Sequence, residues 1–204
     1  MKGRYSQFSR EILPGIGHNR GPSLDPGRGF RKHAWKKARA DLMPRLPLEV
    51  VRRRVARAKA LGLDYPQYAS ILLGTGRDIV AFLFTSEAIR LRVDRGLGLP
   101  EHERRKLAEI TGCDRLLMTP IGSDPIRVGR LLAERQNLVF AQLGTAPPEH
   151  ARPGIAQEAI RALLDPLKLV GDQVVMIGTR VPERGWADAA KLARFLPAER
   201  FFPD

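Results

Sequence analysis

Cysteine is almost absent: Cys113 stands alone in 204 residues. An intramolecular disulfide is therefore impossible, and a cysteine-rich zinc site is excluded. Long apolar runs are lacking as well. No stretch approaches the ~20 consecutive apolar residues that a membrane helix needs, so no transmembrane segment is expected. Residues 1–22, MKGRYSQFSREILPGIGHNRGP, hold no apolar core of the kind a secretory signal carries, and a cytoplasmic protein is the expectation. Histidines are scattered: His18, His33, His102 and His150 form no HExxH or similar pair, so no metal site is assigned. Neither a GxGxxG fingerprint nor a GxxxxGK[ST] loop occurs where a strand would feed a helix, and no cofactor is assigned.

Acidic residues are scarce in one region only. Residues 1–60 hold 16 Lys/Arg against 4 Asp/Glu, a net of +12. Residues 61–204 hold 19 against 18, a net of +1. Charge segregated in this way points to a polyanion partner, most often nucleic acid. Arg outnumbers Lys 27 to 8, a bias that a GC-rich coding sequence also produces.

The N-terminal part divides in two. Residues 1–29 contain six Gly and three Pro with few bulky apolar residues, which predicts a flexible arm rather than a packed element. Within it His18, Asn19, Arg20, Gly21 and Pro22 make a compact polar motif, either a docking motif or a turn in a tail. Residues 30–62 read as a basic helical extension. Phe30, Ala34, Ala38 and Leu42 recur every four residues in a predicted helix over 30–43, with Trp35 beside them. Pro44 and Pro47 interrupt, and a second helix over 47–61 carries Leu48, Val51, Val55 and Ala58 on one stripe. Gly62 ends it. The basic residues Arg31, Lys32, Lys36, Lys37, Arg52, Arg53, Arg54 and Arg57 occupy the remaining faces of the two helices. They are the candidate phosphate-contacting residues, with Trp35 placed to stack or to pack.

The stretch over 68–91 separates this basic part from a regular one. Ala58, Gly62 and Ile71 stand near the spacing of a helix-turn-helix, which this part of the chain resembles over about 20 residues. On that reading Pro66 starts the second helix, and Gly74 and Gly76 cut it short. The competing reading makes 68–73 a strand paired in a hairpin with 79–84. The run over 79–84 is free of charge and rich in β-branched and aromatic residues, as a strand buried on both faces should be.

From residue 86 onward, helix-like and strand-like segments alternate. Helices are expected over 86–95, 100–110, 126–135, 155–164 and 187–195. Strands are expected over 116–121, 137–143 and 173–177, with a short terminal one over 200–202. This rhythm predicts a three-layer, mainly parallel, Rossmann-like α/β domain over 65–204.

Several apolar runs end in Gly followed by a hydroxyl residue. In open α/β sheets, ligands bind outside the carboxyl ends of strands. Gly76, Asp78, Gly122, Ser123, Gly144, Thr145, Gly178, Thr179 and Arg180 are therefore candidate ligand-binding residues for a nucleotide or other phosphorylated small molecule. The same residue types also make tight turns whatever the function. Asp78 is a candidate carboxylate or the closure of a turn. Arg180, Glu183 and Arg184, ahead of Trp186, either bind an anion or form an ion pair beside a packed aromatic. No catalytic constellation is legible. The leading expectation is nucleic-acid association through the basic extension. The alternatives are an enzyme or binder for a phosphorylated small molecule, and an assembly protein docking on an acidic protein.

Overall fold

A computed structural model of the chain describes residues 46–93 and 97–203. Five parallel strands form one sheet in the order β3-β2-β1-β4-β5. They are β1 (Ala81–Thr85), β2 (Asp114–Thr119), β3 (Gln142–Thr145), β4 (Val174–Gly178) and β5 (Arg194–Pro197). Central β1 is buried along its whole length, as its uncharged sequence AFLFT requires. It pairs with β2 from Ala81–Asp114 to Thr85–Met118 and with β4 from Ala81–Val174 to Phe84–Ile177.

The two-residue period of the strands builds two cores. Phe82, Phe84, Leu117, Val175 and Ile177 face one layer of helices. That layer comprises α1 (Leu48–Ala60), α2 (Tyr65–Thr75), α3 (Glu101–Glu109), α4 (Pro125–Gln136) and the terminal α7 (Ala198–Phe201). Leu83, Leu116, Met118, Val174 and Met176 face α5 (Pro153–Leu164) and α6 (Val181–Ala189). The protein is a three-layer, Rossmann-like α/β fold with helices on both faces of a parallel sheet.

Helix α1 belongs to this body rather than to a separate extension. Ala58, Leu61 and Leu63 join the first core, and the compact unit runs from Pro47 onward. Arg57 fastens it. Its Nε donates to Asp78 Oδ2 at 2.9 Å, its Nη1 to the Gly112 carbonyl at 2.9 Å and its Nη2 to the Ile79 carbonyl at 2.6 Å. The predicted helix over 30–43 and the arm over 1–29 lie outside the described residues.

The residues over 68–73 are helical, and the hairpin alternative fails. Asp64 caps α2 by accepting from the Gln67 N–H, and Pro66 sits in the first turn. Gly76 closes the helix in the left-handed conformation, φ 70°, with its N–H on the Leu72 carbonyl. A Gly that the hairpin reading would place in a strand-to-strand turn is a helix stop. The helix pair joined at Gly62 matches the helix-turn-helix order, but α2, YPQYASILLGT, carries no basic side chain to meet a phosphate.

Four other elements differ from expectation. Where a helix is expected over 86–95, the described residues 86–93 are not helical. Residues 86–90 turn, with Thr85 Oγ1 accepting from the Ala88 N–H and the Leu91 N–H reaching the Ser86 carbonyl. Arg90 is left-handed, φ 52°, and Arg92 then pairs antiparallel with Gly98. The third strand begins later than expected, because Asn137 takes the left-handed position that caps α4. The helix expected over 187–195 splits. Left-handed Lys191, φ 54°, stops α6, and residues 194–197 become β5 by pairing with β4. The terminal residues form helix α7, not a strand, and bury Phe201 and Phe202 among Phe82 and Phe84.

Candidate functional site

The chain builds β1, β2 and β3 outward to one side and then returns to place β4 on the other side of β1. That reversal leaves a crevice at the carboxyl edge, the place where open α/β sheets hold ligands. A cavity of about 250 Å³ lies there. The end of β1 supplies Thr85, Ser86 and Glu87, the loop after β2 supplies Pro120 and Ile121, the loop after β3 supplies Ala146, Pro147 and Glu149, and the loop and helix after β4 supply Arg180, Glu183 and Trp186. Its floor is formed by the buried Ser86, Glu183 and Trp186, and its rim by the exposed Ile121, Glu87, Glu149 and Arg180.

Carboxylates dominate the electrostatics of this cavity. Glu183 is only 1% exposed, and its Oε2 accepts from the Thr179 N–H at 2.6 Å and the Arg180 N–H at 2.8 Å. It thereby caps α6 from within. The guanidinium of Arg180 is ion-paired to Glu87 and lies 3.7 Å from Glu149 Oε2. Asp124 caps α4 from its N-cap position, its side chain accepting forward from the Ile126 N–H at 3.0 Å. A phosphate at such an edge is normally held by bare helix N-termini and by a glycine-rich turn leading straight into a helix. Here α4 and α6 already carry carboxylates at their starts, and β1 leads into turns rather than into a helix.

Of the candidate ligand residues, Arg180 alone lines the cavity. Gly76 and Asp78 precede β1 and so lie at the opposite, amino edge of the sheet. Asp78 accepts from Arg57, from the Tyr68 hydroxyl at 3.0 Å and from the Ile79 N–H at 2.8 Å, a turn-closing role. Gly122 turns the chain at φ 83°, and Ser123 donates its hydroxyl to the Pro120 carbonyl. The Gly144 carbonyl accepts from the Thr119 hydroxyl, and a Cβ at Gly144 would lie 2.8 Å from Leu163 Cδ2. Thr145 follows it at the end of β3. At Gly178 a Cβ would lie 2.4 Å from Glu183 Oε2 and 2.6 Å from Phe195 Cε2. The glycines at 144 and 178 are thus accounted for by close side-chain packing. Thr179 contributes its backbone N–H to Glu183. Arg184 stacks over the Phe195 ring, its guanidinium carbon 5.3 Å from the centroid.

Sequence reasoning misses Ser86, Glu87 and Glu149, and it singles out Glu183 and Trp186 without their partners. One signal for Ser86 and Glu87 exists, since they follow the most secure strand. Strand order supplies the rest, and no local pattern states it.

The candidate phosphate-contacting residues divide. Arg31, Lys32, Trp35, Lys36 and Lys37 lie outside the described residues. On α1, Arg52 and Arg53 are exposed, as is Lys59, while Arg54 is half-buried. Arg52 holds a surface pair with Glu49 at 2.9 Å, worth at most about 1 kcal/mol. Arg57 is committed to Asp78, Ile79 and Gly112. Arg52 and Lys59 are seven residues apart, about 10.5 Å along the helix, and share one face.

Cys113 lies at the amino edge before β2, and burial pushes its thiol up to about 12 from an ordinary 9.0. The thiol is therefore neutral at physiological pH, and iodoacetamide at pH 8 is expected to label the native chain far more slowly than the chain in urea. Folding opposes ionisation here, so the thiol's contribution to stability is complete below pH 9 and lost as pH rises toward 12. Equal labelling rates in native and unfolded states would disprove the burial.

Among the described residues no helix is long and apolar enough to cross a membrane. No protein-family model and no curated protein matches this chain. Among solved structures it is similar to a hypothetical protein from Xanthomonas campestris, 16% identical, covering 76% of this chain and 71% of that one, with a TM-score of 0.38.

Proposed function

We propose that the chain associates with nucleic acid through the basic residues of its N-terminal extension, 30–62, with phosphate neutralisation as the source of affinity. The observation that carries this reading is the segregation of charge, +12 in residues 1–60 against +1 in the remainder. Helix α1 supports it physically. It is fixed to the α/β body by Arg57, so Arg52, Arg53 and Lys59 are presented from a rigid element at little entropic cost. Contacts of this kind confer affinity without base specificity.

The test is a salt series with labelled DNA and RNA and the full chain. Affinity is expected to fall with a log–log slope of about −0.9 per phosphate engaged on duplex DNA. Replacing Arg52, Arg53 and Lys59 together by Ala should flatten that slope by about three without unfolding the protein, because exposed substitutions cost within about 0.5 kcal/mol each. Absence of binding at low salt, or indifference to salt, would refute the proposal. Salt-sensitive association with an acidic protein and none with nucleic acid would favour an assembly role instead.

A second reading, a small-molecule function at the carboxyl edge, is favoured by the cavity at the strand-order reversal.

A further inference from the structure

We infer that the carboxyl-edge cavity is a binding site for a small cationic molecule, a primary amine or guanidine with an apolar arm, rather than for a phosphorylated one. This deepens the small-molecule reading and is independent of nucleic-acid binding.

Two buried residues line the cavity with polar atoms that no group among the described residues satisfies. Ser86 is 6% exposed and its hydroxyl has no hydrogen-bond partner among the described residues. Glu183 is 1% exposed and uses only Oε2 on the Thr179 and Arg180 N–H groups, leaving Oε1 without a donor. Neither atom is sealed from solvent: both open onto the cavity, where each is free to accept from a ligand. Both sit on the floor, beside Trp186, and so mark where a ligand's polar group would be received.

The sign of that group follows from the balance of charges and donors. Three carboxylates, Glu87, Glu149 and Glu183, face one guanidinium, Arg180. That guanidinium is already paired to Glu87 and close to Glu149. Acceptors therefore outnumber available donors, and a carboxylate or phosphate would meet repulsion with no free counter-charge. An ammonium or guanidinium would instead donate to Glu183 Oε1 and Ser86 Oγ. Trp186, Pro120, Pro147 and Ile121 offer apolar surface for the remainder of the molecule, and a Trp face also attracts a cation. The volume, about 250 Å³, lies below the ~300–1,000 Å³ typical of drug-sized sites and selects a small ligand.

The probes are three molecules sharing one ring: benzylamine, benzoate and phenyl phosphate. Each is titrated into the ¹⁵N-labelled full chain while backbone amides and the Trp186 indole N–H are followed by NMR, with Trp186→Phe assigning the indole signal. Benzylamine is expected to shift Ser86, Glu183 and Trp186 saturably, and the two anions are not. Glu183→Gln keeps an acceptor for the Thr179 and Arg180 N–H groups but turns an amide donor toward the ligand. It should weaken benzylamine at least about tenfold, and Ser86→Ala should weaken it severalfold. No response to benzylamine at millimolar concentration would overturn the inference. So would phenyl phosphate shifting the same residues with equal or higher affinity, which would instead mark an anion site on Arg180. If Glu183→Gln does not fold, the contrast among the three probes on the native chain and the Ser86→Ala titration still decide. Binding of the anions without cation preference overturns the inference but leaves a small-molecule site standing. Silence from all three probes removes both readings of this edge.

Discussion

Phe201→Ala is expected to destabilise the protein by about 3–5 kcal/mol, the range for truncating a large buried aromatic. Phe201 is fully buried although it stands almost at the end of the chain. Its ring centroid lies 5.2 Å from Phe82, 5.7 Å from Phe84 and 4.9 Å from Phe202, edge-on in each case. Such aromatic pairs add roughly 0.5–1.5 kcal/mol beyond their buried area. The Lys106 ammonium lies 4.7 Å above the same ring, and burial lowers its pKa. Removing the ring would therefore open a cavity against central β1 and take away the surface on which α3 rests its lysine. Urea unfolding should show a lower midpoint with an unchanged slope, and the melting temperature should fall by on the order of 10 °C. A loss below about 1 kcal/mol would mean that α7 is not docked on the sheet in solution.

Arg57→Ala is expected to cost about 2–4 kcal/mol, while Arg52→Ala, earlier on the same helix, should change stability by less than about 0.5 kcal/mol. The difference lies in partners rather than in charge. The Arg57 side chain is 24% exposed and ties α1 to the segment before β1 and to the turn before β2. Its removal leaves the Ile79 and Gly112 carbonyls without their donor and Asp78 without its cation. Arg52 is 67% exposed and, among the described residues, meets Glu49 alone. Arg57→Lys should recover part of the loss at most, because an ammonium cannot direct a planar fork at three acceptors. On the proposal of nucleic-acid binding, the order is expected to reverse in the binding assay, with Arg52→Ala weakening association and a folded Arg57 variant losing little. Equal stability of the two alanine variants would show that the three bonds of Arg57 do not hold in solution.

The fold is legible wherever local chemistry and tertiary demand agree. Helix α4 starts at Asp124–Pro125 and α2 starts at Asp64–Tyr65–Pro66, and in both the cap and the proline act within one turn. Strand β1 announces itself because a run without charge has nowhere to go but the interior. Legibility fails where pairing overrides propensity. Residues 86–91 begin with a convincing helix start, yet Ala88, Ile89 and Leu91 are buried from a segment that turns. Before Pro197 at their end, residues 194–197 are set apart from the preceding helix by the left-handed Lys191, and the edge of β4 recruits them.

The candidate site is less legible. Glycines after strands suggest openings for a ligand, but at Gly144 and Gly178 the missing Cβ makes room for Leu163, Glu183 and Phe195. The single Asp78 resolves into a turn lock, because its neighbours in space, Arg57 and Tyr68, come from two helices upstream.

By itself the sequence determined the class of the fold, the parallel sheet, and the concentration of positive charge in the first 60 residues, since periodicity, caps and composition act locally. Only the tertiary structure decided three things. It made α1 part of the α/β body, it set the strand order that brings Ser86, Glu149 and Glu183 to one crevice, and it directed Arg180 onto Glu87. Each depends on residues far apart in the chain meeting in space, and burial then determines which of their polar atoms are satisfied and which remain open to a ligand.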